Sequence, residues 1–202
     1  QALVEQRIPR RPYATDELGP GLCRMSASEA LKCREMQVNP SSVRVFILFD
    51  VDRRDGAGAW EQAGLPAPAW TAQNPSNGHA HIAYGIEAPV ILDDPERQKP
   101  ARYLAGIESR FAAKMGADPS YGGFLTHNPI HPDWRTRFWH PGIYGLHELA
   151  EYVDLSRHVP NRGVNVEESG LGRNVTLFDH VRQYAYRNLR DCMDGQGAFV
   201  GW

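Results

Sequence analysis

The hydrophobic pattern of the chain predicts a mixed α/β protein. Residues 43–49, VRVFILF, form a run of β-branched and large apolar residues that is typical of a buried β-strand. HAHIAYGI, over 79–86, alternates well enough to be a second strand, and FLT at 124–126 is a candidate for a short third one. Helical spacing over 100–115, followed by Gly116, predicts a helix with a natural C-terminal stop.

The two ends of the chain differ from this central part. Residues 1–25 are rich in Pro, Gly and Arg and are expected to form an arm laid over the domain rather than a helix. A helix should begin after Ser26, because Ser26 and Glu29 have the spacing of a capping box. Beyond residue 140, GLHELAEYVDL and NVTLFDHVRQYAYRNLRDCM have helical character and are joined by a polar linker. We therefore predict a catalytic α/β domain over 1–140 and a small helical module over 141–202.

Length and composition favour a globular protein. The chain has 202 residues, of which 42% are hydrophobic, enough to bury a sizeable core. No apolar run approaches the roughly 20 residues of a membrane helix, so we expect a cytoplasmic protein without a membrane partner. Cys23, Cys33 and Cys192 are odd in number and form no close metal-binding pair, so they are predicted to be reduced thiols in the core. The net charge of −2 does not by itself indicate nucleic acid.

Two carboxylates follow the first predicted strand. Asp50 and Asp52 share one face of a strand, with Cα atoms about 6.6 Å apart, so their side chains can converge. A bound cation would remove the repulsion between them, and carboxylate oxygens favour Mg²⁺ or Mn²⁺. Such a pair suits phosphoryl chemistry with two metal ions. The alternative is that the two aspartates only cap the turn at 53–56.

Polar residues in two further segments could complete a site. His79 and His81 face the same side of the second predicted strand, where an imidazole could bind a phosphate group or a metal. In GADPSYGGFLTHNP, Asp118 lies in a loop, and His127 and Asn128 follow with polar side chains. Taken singly, each has a structural explanation: one exposed and one buried histidine, and an aspartate in a turn before a proline.

In order, FDVDR, NPSNGHAHIAY and ADPSYGGFLTHNP resemble the three motifs of the archaeo-eukaryotic primase superfamily, specifically the replicase family of plasmid and phage initiator proteins. The resemblance covers most of residues 14–140, and GLGRNVTLFDHVRQYAY is similar to the helical module that follows such domains. It implies a catalytic sheet of the RNA-recognition-motif type with an additional α/β unit. It also implies primer synthesis from nucleoside triphosphates on a single-stranded DNA template, with plasmid or phage origin DNA as a further candidate partner.

The resemblance implies roles for individual residues. Asp50, Asp52 and Asp118 would be the catalytic ligands of Mg²⁺ or Mn²⁺. His81 matches the phosphate-binding histidine best, with His79 as a rival. Members of the family commonly have TKNP where this chain has THNP, so His127 replaces a lysine.

Further contacts are expected on both sides of this site. Nucleotide contacts are assigned to Arg53, His127 and Asn128, although Arg53 is as readily an ion-pair partner. In the tail, a basic helix could follow template phosphates and an aromatic ring could stack on a base, or the helix could have only a solvated basic face. The tail residues concerned are Arg173, Arg182, Arg187, Arg190, Tyr184 and Tyr186.

Two other functions fit parts of the sequence. The element formed by His79, Ala80 and His81 occurs in rolling-circle enzymes that nick one strand, for which Tyr103 would be the candidate nucleophile. The aspartate pair has no evident role in that chemistry. A non-catalytic origin-binding module is the third possibility, and the intact carboxylates argue against it.

Overall fold

The computed structural model describes residues 2–19, 21–94, 98–140 and 142–156, so most of the predicted helical module lies outside the described residues. The helices in these ranges are α1 (Ala2–Arg7), α2 (Ala27–Ala30), α3 (Ala59–Gln62), α4 (Gln98–Met115) and α5 (Leu146–Ala150). The strands are β1 (Tyr13–Thr15), β2 (Cys23–Arg24), β3 (Glu35–Met36), β4 (Val43–Val51), β5 (Trp70–Gln73), β6 (Ala80–Ile91), β7 (Thr126–His127), β8 (Arg135–Phe138) and β9 (Ile143–Tyr144).

A central antiparallel sheet with the order β4-β6-β5-β8 forms the framework of the domain. Strand β9 adds to β6 in parallel, beyond the residues that pair with β5. The strands predicted over 43–49 and 79–86 are present as β4 and β6, and the helix predicted over 100–115 is present as α4. The strand expected at FLT begins only at its last residue, in β7.

The two faces of the central sheet have different neighbours. Alternate residues of β4 and β6 pack against α4 and form what we call the helix face: Ile47, Phe49, Val51, Ile82, Tyr84 and Ile86. Helix α4 contributes Leu104, Ile107 and Phe111, each no more than 1% exposed. Each large side chain buried in this way contributes about 1.5–3 kcal/mol. Because side chains alternate along a strand, Asp50 and His81 point to the opposite face, which we call the cleft face.

A second, smaller sheet with the order β2-β1-β3-β7 lies on the cleft-face side. Its strands β1 and β2, together with α1, come from residues 1–25, so the expectation of an arm without a helix is wrong. Val4 and Ala14 are fully buried in one cluster with Phe46 and Trp70 of the central sheet. The amino-terminal segment is therefore part of the core rather than a covering.

Two other expectations are also changed. Cys33 is half-buried and Cys23 is exposed, so Cys23 is not a core thiol. Cys192 lies outside the described residues. Among the described residues, no helix combines the length and the apolar character needed to cross a bilayer.

Residues 142–156 pack on the helix side of the central sheet. Leu149 of α5 is fully buried in the same cluster as Phe111 of α4. The Lys114 ammonium donates a hydrogen bond to the backbone oxygen of Tyr152 at 3.0 Å. The division of the chain after residue 140 stays a prediction.

A buried asparagine fixes the geometry of β4. The pairing of β4 with β6 is irregular between Arg44 and Phe46, and Asn39 bonds the backbone there. Its Oδ1 accepts hydrogen bonds from the N–H groups of Val45 and Phe46, each at 2.9 Å, and its Nδ2 donates to the Phe46 oxygen at 2.9 Å. Val45 and Phe46 are therefore both buried in the cluster that contains Val4, Ala14 and Trp70. From Ile47 onward, the side chains of β4 alternate regularly between the two faces of the sheet.

Replacing Asn39 by alanine should destabilise the domain. The change leaves buried backbone groups without partners, so we expect the free energy of unfolding to fall by about 2–4 kcal/mol. Urea denaturation measures this. Asn77→Ala is the control: Asn77 is exposed and its side chain accepts one bond, from the His79 N–H. It should cost about 1 kcal/mol or less, and equal losses in the two variants would contradict the role assigned to Asn39.

Candidate metal and nucleotide site

Strand register places an imidazole beside each aspartate of the first motif. Asp50 of β4 pairs directly with His81 of β6, and their Oδ1 and Nε2 atoms lie 3.5 Å apart. Just beyond the strands, Asp52 Oδ1 lies 2.8 Å from His79 Nδ1. Two sequence motifs that are about thirty residues apart therefore form one cross-strand arrangement of two acids and two imidazoles.

The turn before β6 holds His79 in place. The Asn74 N–H donates to the His79 oxygen at 2.8 Å, and the Gly78 N–H donates to the Asn74 oxygen at 2.9 Å. Gly78 has a positive φ of 81°, and a Cβ atom there would lie 2.1 Å from the Arg54 backbone oxygen. Only glycine fits this position, which explains the NG pair immediately before the first histidine.

The end of helix α4 brings the third carboxylate to the same place. Gly116 adopts a φ of 65°, and the Ala117 N–H donates back to the Ala112 oxygen at 2.9 Å, as in a Schellman motif. The next residue, Asp118, donates its N–H to the Asp50 oxygen at 2.8 Å. The chain thus turns from the helix onto β4, and this backbone bond joins the third motif to the first.

The three carboxylates form a donor set for a divalent cation. Asp50, Asp52 and Asp118 each offer an oxygen atom, and these oxygen atoms all lie within 4.8 Å of one another. The Asp118 carboxylate is oriented by the N–H and the hydroxyl of Ser120, each at 2.8 Å. Hard oxygen donors from three side chains fit Mg²⁺ or Mn²⁺.

The imidazoles around Asp50 favour its ionised form. Burial raises the pKa of Asp50, but the hydrogen bond with His81 and the nearby His127 and His79 outweigh this effect. The pKa of Asp50 therefore lies below its usual value. Asp50 remains a charged oxygen donor at neutral pH, although it is largely shielded from solvent.

The hydrogen bonds of His81 determine which of its nitrogen atoms carries the proton. Its Nδ1 accepts a hydrogen bond from the His127 N–H at 3.0 Å and lies 3.0 Å from Thr126 Oγ1. A proton on Nδ1 would point at the amide hydrogen, so the neutral ring carries its proton on Nε2. That Nε2–H points toward Asp50, where it can donate to an oxygen atom.

His81 belongs to a stack of three parallel rings. The centroid of His127 lies 3.8 Å from that of His81 and 3.8 Å from that of Trp134, with interplanar angles of 3° and 10°. His127 Nδ1 lies 2.8 Å from Glu35 Oε1. Burial lowers the pKa of His127, and the bond to Glu35 only partly offsets this. His127 is therefore neutral at pH 7 and offers no positive charge to a phosphate group.

Glu35, His81 and His127 also lie close enough together to be considered as metal ligands. Two observations argue against that role. Nδ1 of His81 is used by a backbone amide, and Nδ1 of His127 is used by Glu35. The ring planes are parallel rather than convergent on one point. Sequence reasoning missed Glu35 and Trp134, because neither residue lies in a recognisable motif.

The side chains of Arg53 and Asn128, two further predicted contacts, already have partners in the protein. Arg53 pairs with Asp55 at 3.0 Å and donates to Gln62 at 2.6 Å, which matches the ion-pair alternative. Asn128 is fully buried, and its Nδ2 donates to two backbone oxygens at 2.9 and 2.7 Å, so this side chain cannot reach a nucleotide. The predicted tail contacts all lie outside the described residues: Arg173, Arg182, Arg187, Arg190, Tyr184 and Tyr186.

The nicking alternative gains no support from this geometry. Its candidate nucleophile, Tyr103, belongs to α4, which packs on the helix face of the central sheet. His81 points to the cleft face, on the other side. Both histidines of the pair are already engaged with carboxylates, His79 with Asp52 and His81 with Asp50.

Comparison with known proteins agrees with the motifs. A family model described as the Replicase family matches residues 7–153. No curated protein matches the chain. The AEP domain of the primase-polymerase (PrimPol) of Cyanophage S-2L has a similar structure, with a TM-score of 0.51 and 16% sequence identity. The alignment covers 71% of this chain and 88% of that one.

At this level of identity the structural similarity concerns the fold alone, and it confirms the predicted archaeo-eukaryotic primase fold. The family match covers most of the chain and includes the three motifs FDVDR, NPSNGHAHIAY and ADPSYGGFLTHNP, whereas the tail segment GLGRNVTLFDHVRQYAY lies beyond it. The chain therefore belongs to the Replicase family.

Proposed function

We propose that this protein is a replication primase-polymerase that synthesises primers from nucleoside triphosphates on a single-stranded DNA template. The main support is the convergence of Asp50, Asp52 and Asp118, with the Nε2–H of His81 beside them. Membership of the Replicase family supports a role in replication. The name of the structural relative, a primase-polymerase, supports nucleotidyl transfer in particular.

Asp50, Asp52 and Asp118 would hold two divalent cations, Mg²⁺ or Mn²⁺. When bound, the cations lower the pKa of an attacking 3′-hydroxyl and stabilise charge on the leaving pyrophosphate. Hydrogen bonds within the protein preorganise this site. Asp118 is fixed through Ser120 and through its own backbone, while Asp52 is oriented by His79. Such preorganisation suits a reaction that depends on the placement of phosphoryl groups.

His81 would bind a phosphate oxygen of the incoming nucleotide. Its proton lies on Nε2, beside the carboxylates, and a phosphate oxygen is a strong acceptor. His79 is the weaker candidate, because its side chain is more exposed to solvent, 37% against 11% for His81. His127 and Glu35 act as positioning residues, since the stack and the bond to Glu35 fix the plane of the His81 ring.

The first prediction from the proposed function concerns the carboxylates. Asp50→Ala should lower the rate of Mg²⁺- or Mn²⁺-dependent nucleotide incorporation on a single-stranded template by at least about 1,000-fold. Metal ions contribute several kcal/mol to such transition states, and each 1.36 kcal/mol is about tenfold in rate. Asp93→Ala, which removes an exposed carboxylate, is the matched control and should retain the wild-type rate.

Primer-extension and primer-synthesis assays, with ribonucleotides and deoxyribonucleotides supplied separately, measure this effect. Wild-type protein that incorporates neither kind of nucleotide would refute the proposal. So would incorporation that survives Asp50→Ala. A covalent adduct with single-stranded DNA would instead favour the nicking function.

A second prediction concerns metal binding without turnover. Mn²⁺ at 100 times its Kd should stabilise the folded protein by about 2.7 kcal/mol. For a domain of this size that raises the Tm by roughly 5–10 °C. Asp118→Asn should abolish most of the shift, and Asp93→Asn should leave it unchanged. Equal shifts in all three proteins, measured by calorimetry, would locate the ion elsewhere.

The third prediction tests His81. His81→Ala removes a hydrogen bond to a charged phosphate, which is worth about 1.5–3 kcal/mol. We expect kcat/KM for the nucleotide to fall by about 10- to 150-fold, mainly through a higher KM. His140→Ala, at an exposed histidine, should leave both constants unchanged. A loss confined to kcat, with an unchanged KM, would contradict phosphate binding by His81.

A further inference from the structure

Trp134 forms the outer end of the ring stack that begins at His81. The His127 centroid lies 3.8 Å from each of the other two centroids, with interplanar angles of 3° and 10°. Two rings cannot share one face of His127 at that distance, so its imidazole lies between His81 and Trp134. Trp134 therefore covers the face of His127 that points away from His81.

The start of strand β3 holds both outer rings through two consecutive residues. The backbone oxygen of Arg34 accepts a hydrogen bond from the Trp134 Nε1–H at 2.8 Å. Glu35 Oε1 lies 2.8 Å from His127 Nδ1. The Arg34 guanidinium also lies 4.9 Å from the centroid of the Trp134 ring. A hydrogen bond at the ring edge and a cation over the ring thus fix Trp134 relative to β3.

The orientation of the His127 ring depends on this support. Among the described residues, its side chain makes one hydrogen bond, through Nδ1 to Glu35. A single bond leaves the ring free to tilt about the line that joins the two atoms. Rings stacked on both faces prevent the tilt, and Trp134 provides the outer one. Trp134 is only 7% exposed and packs in the same cluster as Trp70, which holds its ring in one place.

His81 depends in turn on the position of His127. Its Nδ1 accepts the His127 N–H, and its ring lies face to face with the imidazole of the same residue. A tilt of His127 would open space beside the His81 ring and let its Nε2–H turn away from Asp50. The direction of that N–H matters, because a hydrogen bond weakens steeply as it departs from linearity.

We infer that Trp134 is a positioning residue for nucleotide binding and acts through His127 on the orientation of His81. The inference rests on the proposed function for the identity of the ligand, a nucleoside triphosphate. Trp134 does not reach the ligand itself, since the His127 ring lies between it and His81. Its effect must therefore appear in the affinity for the nucleotide and must disappear when His81 is absent.

Kinetics of nucleotide incorporation by the full chain test this dependence through a double-mutant cycle. Trp134→Met keeps a side chain that fills irregular space but removes the ring. It should raise KM for the nucleotide by about three- to tenfold with kcat little changed, because the bond from His81 is weakened but not lost. His81→Ala/Trp134→Met should have the KM of His81→Ala alone. Trp134→Phe, which keeps a flat ring in the stack, should stay within about twofold of the wild type.

Trp60→Met is the matched control. Trp60 is also a partly buried tryptophan, but it packs against the cluster on the helix face of the central sheet and contacts Trp139. It should leave KM unchanged both alone and combined with His81→Ala. Trp134→Leu provides a second variant without a ring, should Trp134→Met fail to fold.

Three results would overturn the inference. The first is a wild-type KM in the folded variants of Trp134 that lack a ring, which would leave Trp134 a role in stability alone. The second is a pair of effects on KM, from Trp134→Met and His81→Ala, that multiply in the double variant. The third is a loss confined to kcat.

A measurement without turnover separates this inference from the proposed function. In metal-free protein without nucleotide, the nitrogen NMR signals of the His81 ring, assigned by their loss in His81→Ala, should be sharp in the wild type and in Trp60→Met. They should broaden in Trp134→Met, because the ring then samples several orientations. Such broadening, with no synthesis by the wild type, would refute only the proposed function. Synthesis by the wild type, with His81 signals that stay sharp in Trp134→Met, would refute only this inference.

Discussion

The antiparallel register between β4 and β6 is the constraint on which the candidate site depends. It places Asp50 opposite His81 and brings Asp52 beside His79. A slip of one residue in either strand would turn its polar side chains toward helix α4 and its apolar side chains toward the cleft. The residues between the polar ones, such as Phe49, are buried against helix α4, and their burial fixes the register. They do so from the face of the sheet opposite the site.

The third carboxylate depends on a different kind of interaction. Asp118 belongs to neither strand, and its N–H ties the loop that contains it to the backbone oxygen of Asp50 in β4. Helix α4 supports that bond from the other side of the sheet, because the turn at Gly116 begins where its buried apolar side chains end. The packing of α4 thus positions a residue on the far side of the sheet. Geometry of this kind costs no reorganisation when a ligand binds.

Local periodicity explains which parts of this structure could be predicted from sequence. Strands β4 and β6 and helix α4 have long, regular patterns, and the motifs stand at their ends. Strands β1, β2 and β3 contain only two or three residues each, so their formation depends on tertiary packing, which a local pattern does not reveal. For this reason, residues 1–25 were wrongly predicted to be an arm without a helix.

Side-chain pairing was harder to predict than the motifs themselves. Asn128 stands in a motif and looks like a ligand contact, yet its amide bonds buried backbone oxygens. Glu35 stands in no motif, yet it fixes the orientation of His127 across 92 residues of sequence. Both outcomes depend on which short strands pair in the second sheet. The sequence contains the residues but not the distances between them.

The charge balance of the cleft links metal binding to binding of phosphate. Three carboxylates meet there, His127 is neutral, and Arg53 is held by Asp55, so these groups offer no fixed positive charge to a phosphate group. Two bound divalent cations would change the balance at the carboxylates from three negative charges to one positive charge. In the proposed function, a nucleotide is therefore attracted only after metal has bound.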